Sequence, residues 1–93
     1  MSVRYSKHLQ ERLLIRNIPD NLPRSIIESA KRRYRDNSTN TLVAVKRIFL
    51  HGQLRDVAVV YIEDSRGIIA ITVHPIRKSQ INNRLKFGRW KNS

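Results

Sequence analysis

The stretch Ile68-Ile69-Ala70-Ile71-Thr72-Val73-His74-Pro75 decides how this chain is organised. Side chains alternate across a strand with a period of two, so Ile69, Ile71 and Val73 fall on one face and Ile68, Ala70, Thr72 and His74 on the other. The second face grows more polar toward its end, and Pro75, which has no N–H to donate, stops the ladder. A hydroxyl and an imidazole on one strand face, followed by arginines, make a candidate site. Thr72 and His74 also suit plainer roles, as a β-former and a strand-end residue.

Two further β-rich runs precede this one. Thr41 to Leu50 is followed by the tight connection His51-Gly52-Gln53, and Leu54 to Ile62 pairs back. Glu63-Asp64-Ser65-Arg66-Gly67 makes the next hairpin turn, so the three runs form an antiparallel meander. Tyr34 and Arg35 add a short edge strand before the polar turn Asp36 to Asn40.

Upstream lie two helical segments. Ser6 caps a helix from Lys7 to about Arg16, whose apolar stripe is Leu9 and Leu13 with Leu14 or Ile15 alongside. His8, Arg12 and Arg16, spaced i, i+4 and i+8, form one row on its surface. Like charges at that spacing repel, so helix stability gives no reason for the row, whereas an anionic ligand does. A second helix runs from about Leu22 to Arg33, with Pro23 in its first turn, where its missing N–H is harmless. It turns Leu22, Ile26, Ile27, Ala30 and Tyr34 to the core and sets Lys31, Arg32 and Arg33 against the helix dipole. Beyond Pro75, Lys78 to Phe87 reads as a short helix with Ile81 and Leu85 inward and Gly88 as its stop.

The expected fold is α+β: two N-terminal helices packed on a three- to four-stranded antiparallel sheet, with a short basic C-terminal helix. The chain, 93 residues long, forms one domain over 1–93. It divides into a helical pair (7–34), a sheet (41–74) and a basic helix and tail (76–93).

A net charge of +12 is the main compositional fact. It implies a polyanionic partner, nucleic acid first, then an acidic protein or membrane surface. Residues 1–35 carry nine Lys/Arg against three acids, residues 36–75 carry four of each sign, and residues 76–93 carry six Lys/Arg and no acid. The ends are therefore basic and the middle neutral, a partition that a merely solvated surface does not require. There is no cysteine, which excludes disulfides, thiolate zinc sites and cysteine nucleophiles. No apolar core of a signal peptide and no apolar run of membrane-span length is present, so the expectation is a cytoplasmic protein with no membrane partner.

The residue supply narrows the chemistry. Two-metal nuclease sites need converging carboxylates, and the one adjacent acid pair, Glu63-Asp64, sits in a hairpin turn. No histidine pair has zinc-ligand spacing, no glycine-rich phosphate loop exists, and no nucleophile elbow is present. Metal-free RNA cleavage is permitted. There the 2′-hydroxyl attacks its neighbouring phosphate, which takes a proton acceptor, a proton donor and cations around the phosphorus. His8 and His74 exchange protons near neutral pH, and Arg12, Arg77 and Arg84 hold phosphate oxygens in a bidentate manner. No metal and no cofactor is needed. His51 reads as a turn residue.

The pattern His8-x-x-x-Arg12-x-x-x-Arg16-x-Ile18, then Ile26-Ile27, a polar turn and strands ending in Ile71-Thr72-Val73, resembles small toxin-like domains of the BrnT group. These are grouped with the barnase–colicin–RelE type of metal-independent ribonuclease. The resemblance spans roughly residues 6–76 as an order of elements, and the tail from Gln80 to Trp90 lies outside it. It implies an RNA substrate, an acidic antitoxin as partner, and functional roles at His8, Arg12, Thr72 and His74.

The leading expectation is a toxin-like endoribonuclease. In it His8 or His74 moves protons, Thr72 orients a neighbour or a phosphate, and Arg12, Arg16, Arg77, Arg84 and Arg89 bind phosphate. The alternative is a non-catalytic RNA- or DNA-binding module on the same basic faces, with Trp90 and Phe87 stacking on bases. The two aromatics equally suit packing of the tail onto the sheet. A third reading is a basic partner of an acidic protein.

Overall fold

The computed structural model describes residues 2–93 as β1 (Val3–Tyr5), α1 (Lys7–Ile15), α2 (Leu22–Ser29), β2 (Arg32–Asp36), β3 (Thr41–Leu50), β4 (Gln53–Asp64), β5 (Gly67–Pro75), α3 (Lys78–Lys86) and β6 (Trp90–Asn92). The α+β class holds. The sheet, however, has six strands in the order β1-β5-β4-β3-β2-β6, and it is mixed, because β1 runs parallel to β5. β3, β4 and β5 form the expected meander at its centre. The β3–β4 turn places His51 at φ 50° and Gly52 at φ 79°. Two successive positive φ values give a type I′ hairpin, whose twist matches that of the flanking strands.

Helices cover both faces of the sheet. α1 and α2 bury Leu9, Leu13, Ile26 and Ile27 against Ala44, Val57, Val59, Tyr61, Ala70 and Val73. Leu9, Ile26 and Ile27 are wholly buried, and each such side chain contributes roughly 1.5–3 kcal/mol relative to exposure. Leu14 and Ile15 lie outside this stripe and are exposed, so the apolar face of α1 is narrower than its sequence indicates. α3 covers the opposite face. There Ile76, Ile81 and Trp90 close over Tyr34, Val43, Val45 and Ala58.

The second helix is shorter than its sequence suggests. It ends at Ser29, and Ala30 is already extended at φ −65°, ψ 137°. Lys31, Arg32 and Arg33 therefore do not form a last helical turn, and the dipole reading of that triplet is wrong. Arg32 opens β2, where its guanidinium pairs with buried Asp56 at 2.8 Å. Arg33 turns to the other face and donates to the Ile27 carbonyl and to the Tyr61 hydroxyl. Tyr34 belongs to the α3-side core, not to the α2 side. β2 is also not an edge, since β6 pairs outside it. A strand of charged residues hid as helix because its partners for charge lie on distant strands.

β1 and β6 are the two strands that the apolar pattern does not announce. Each has three residues, and each is held by a contact far away in sequence. The Ser2 carbonyl accepts from the Ile68 N–H, and Gly67, at φ 119°, lies so close that a Cβ there would fall 2.6 Å from that carbonyl oxygen. Glycine is therefore required at the start of β5 for both its conformation and its size.

β5 carries an irregularity that matters for the site. Val60 pairs with Thr72, but Tyr61 pairs with Ala70, so Ile71 is an extra residue bulged out of the ladder. Ile68, Ala70 and Val73 consequently all face the α1–α2 core. Thr72 and His74 face the α3 side, sharing it with their cross-strand partners Val60 and Ala58. Strict alternation placed Thr72 and His74 with Ile68 and Ala70, and Val73 with Ile69 and Ile71. The bulge reverses both assignments.

Candidate functional site

The site grows from Ser6. Its Oγ accepts from the Leu9 N–H at 3.1 Å, capping α1, and donates to the Ile71 carbonyl at 3.4 Å. Its N–H donates to the Ala70 carbonyl at 3.0 Å. Ser6 thus fastens the first turn of α1 to β5 at the bulge. β1 pairs with β5 only as far as Ala70, so α1 continues beside the free edge of the strand. The surface row of α1 then comes alongside the end of β5.

The result is a cleft of about 320 Å³ lined by His8, Arg12, Arg16, Thr72, Val73 and His74. Two imidazoles, two guanidiniums and a hydroxyl meet there from segments far apart in the chain. Thr72 and His74 are half-buried, while His8, Arg12 and Arg16 are exposed and reach the cleft from the solvent side. Burial holds the His74 imidazole below its ordinary value, and the charges of Arg84 and Arg16 act in the same direction. Neutral His74 is a proton acceptor at neutral pH. Arg84 approaches from α3, with its guanidinium 4.9 Å from the Trp90 ring centroid.

Three of the residues expected at a nucleic-acid surface sit elsewhere. Trp90 is buried, 3% exposed, stacked on Tyr34 with ring centroids 5.1 Å apart. Its Nε1 donates to Asp36, so it has no face free for a base, and its assignment as a binding residue is withdrawn in favour of packing. Arg89 is paired with Asp36 at 3.2 Å and holds β6 in place. Arg77 stands at the N-cap of α3, where the Gln80 side chain accepts from its N–H. It lines a separate depression with Arg47, Arg55 and Lys78. Phe87, by contrast, is 78% exposed, with the Lys86 ammonium 5.7 Å from its ring centroid. His51 remains a turn residue, with its Nε2 3.0 Å from the Asn17 carbonyl oxygen.

Sequence reasoning missed Ser6 as the residue that joins helix to strand, and it missed the basic members of β3 and β4. Arg47 and Arg55 belong to the segment whose charges balance, which concealed them. Two of the acids balancing that segment lie apart from them: both carboxylate oxygens of Asp64 accept from Arg4 Nη2, and Asp36 is enclosed with Arg89 and Trp90.

Among the described residues no three histidine, aspartate or glutamate side chains gather as a metal-binding group. No helix among them is long and apolar enough to cross a membrane. No family model, curated protein or solved structure matches the chain.

Proposed function

We propose that the cleft at the free edge of β5 is the active site of a toxin-like, metal-independent endoribonuclease. The observation that supports this reading is the meeting of His8 and His74 with Arg12, Arg16 and Thr72 around one cavity. The reaction needs two proton-transfer groups and cations about a phosphate, and nothing more. His74, held neutral, takes the proton of the 2′-hydroxyl. The 2′-oxygen bonds to the adjacent phosphorus, the bond from phosphorus to the 5′-oxygen breaks, and His8 protonates the departing oxygen. Arg12 and Arg16 neutralise the phosphate oxygens, and Thr72 donates a hydrogen bond that orients it. The products are a 2′,3′-cyclic phosphate and a 5′-hydroxyl. The likeness to BrnT-type domains adds an acidic antitoxin as the partner and the cytoplasm as the place of action.

The test is incubation of the purified protein with RNA in the presence of a chelator, with the products examined for cyclic phosphate ends. Intact RNA after exposure to antitoxin-free protein, or native rates from both His8→Gln and His74→Gln, would overturn the reading. A second reading, a non-catalytic RNA-binding module, is favoured by the exposure of Phe87 beside Lys86 on a chain of net charge +12. It predicts binding without cleavage, with Phe87 alone in the stacking role that the sequence offered to both Trp90 and Phe87.

A further inference from the structure

Where β5 runs into α3 a second, larger depression opens, of about 690 Å³. Arg47, Arg55, Arg77 and Lys78 line it together with a single acid, Asp56. That acid is already committed. Arg32 donates to both its oxygens, at 2.8 and 3.3 Å, and Arg47 lies 3.6 Å from Oδ1. Among the described residues, Arg55, Arg77 and Lys78 form no ion pair. Cations gathered in a concavity without counter-charges repel one another, and an anionic ligand relieves that repulsion.

The depression comes next after the cleft along the chain. Thr72, Val73 and His74 line one, and Pro75, Ile76, Arg77 and Lys78 line the other, so a single run of backbone passes from the first into the second. His74 and Pro75 are adjacent residues, about 3.3 Å of strand rise apart. Beside the depression stands Phe49, 72% exposed, opposite Leu54 on the same sheet face, and Leu54 is part of the lining. Cations that track a backbone, with an exposed aromatic ring beside them, are the elements of a single-strand nucleic-acid groove.

We propose that this depression is a subsite for single-stranded RNA flanking the phosphate held in the cleft. Arg55, Arg77 and Lys78 hold successive phosphodiesters, and Phe49 stacks on a base. The proposal rests on the reading of the cleft as an RNA site. An acidic polypeptide would satisfy the same charges, but it gives no reason for the run to continue into a cavity of imidazoles.

The experiment uses a 2′-O-methyl oligoribonucleotide of twelve residues, which cannot be cleaved, and reads its affinity for the native chain and its variants across a salt series. Each single-strand phosphate contact contributes about 0.7 to the slope of log affinity against log salt, so the double variant Arg55→Gln/Lys78→Gln lowers that slope by about 1.4. The charge-keeping exchange Arg55→Lys/Lys78→Arg retains the slope, which separates lost charge from lost structure. A three-residue oligomer binds the native chain more weakly than the twelve-residue one, and the double variant removes most of that difference. An unchanged slope in the double variant overturns the subsite, as does a lost slope in the charge-keeping exchange. So does an acidic peptide of equal charge that binds as tightly as the oligonucleotide. Cleavage of unmodified RNA by the native chain is scored separately. Its absence alongside a slope that responds to Arg55 and Lys78 removes the ribonuclease reading and leaves RNA binding at the depression standing.

Discussion

Trp90 donates a hydrogen bond of 3.1 Å from its Nε1 to a carboxylate oxygen of Asp36, and both residues are buried. Asp36 also accepts from the Arg89 Nε at 3.2 Å and from the N–H and hydroxyl of Ser38 at 3.0 and 2.7 Å. The pair joins β2 to β6, so the last residues of the chain are fastened to its middle. Trp90→Phe keeps the stacking on Tyr34 but removes one donor from a buried acid, and leaving such a group short of a partner costs about 1–3 kcal/mol. Trp90→Ala also empties the space and costs about 3–5 kcal/mol. Urea unfolding of the two variants measures both values, and a Trp90→Ala protein as stable as the native one would refute the packing role.

Acid will unfold this protein partly through the same carboxylate. Burial alone raises the pKa of Asp36, but the hydrogen bonds from Ser38, Arg89 and Trp90 outweigh burial and hold it well below the usual carboxylate range. The Arg32 hydrogen bond lowers Asp56, against the opposing effect of burial. Both native values lie below the unfolded one, near 3.9, so the unfolded chain binds more protons in between. The stabilisation is therefore complete above about pH 4 and is lost as pH falls through the native values. Urea midpoints measured from pH 5 to pH 2 are expected to decline, and Asp36→Asn should flatten part of that decline. An equally steep decline in Asp36→Asn would assign the effect to other groups.

Removal of the residues after Ile76 tests the two roles of the tail. The charge pattern alone makes it a detachable binding element. In the fold it supplies Ile81 and Trp90, which close over Tyr34, Val43, Val45 and Ala58. Their loss exposes the apolar centre of that sheet face, and the truncated chain is expected to lose cooperative unfolding and to aggregate. Calorimetry decides this, since a sharp transition in the truncated chain would show the tail to be dispensable for folding.

The apolar runs were legible because burial on both faces of a central strand leaves apolar residues in unbroken series, as in Val43 to Val45 and Val57 to Val60. What was not legible depended on partners remote in sequence. β2 is a strand because Asp56 and Tyr61 receive its arginines, and β6 exists because Asp36 binds Trp90. Neither signal is local. The row His8, Arg12 and Arg16 could be read from helical spacing alone, but its approach to Thr72 and His74 could not. That approach depends on Ser6 and on the bulge at Ile71, and alternation read from the sequence carries no mark of an inserted residue.

Ser6 gives a test of assembly that spares the chemistry. Ser6→Ala removes the cap of α1 and the bond to the Ile71 carbonyl, and loss of a cap costs about 1 kcal/mol. The proton-transfer groups remain, but the helix row is then fastened to β5 only by the backbone bond from the residue-6 N–H to the Ala70 carbonyl. Cleavage should fall by more than stability accounts for at temperatures where the variant is fully folded. Native activity in a folded Ser6→Ala protein would mean that the row does not depend on this joint.

The sharpest test concerns the proton acceptor. Burial, then the charges of Arg84 and Arg16, hold His74 below its ordinary value near 6.5. A general base works in its neutral form, so the acid-side fall in kcat/KM is expected to lie below 6.5. Arg16→Ala removes one of the charges and should move that fall upward, toward the ordinary value, whatever its effect on the maximal rate. Bound RNA brings a phosphate anion into the cleft and favours the imidazolium, so the fall in kcat lies at higher pH than the fall in kcat/KM. His74→Gln keeps a hydrogen-bonding group without the titration, and loss of a general base lowers the rate by about a hundredfold to ten-thousandfold. Thr72→Val removes only an orienting hydroxyl and should cost less. A profile for Arg16→Ala that coincides with the native one would separate Arg16 from His74, and an acid fall that survives in His74→Gln would place the base at another residue.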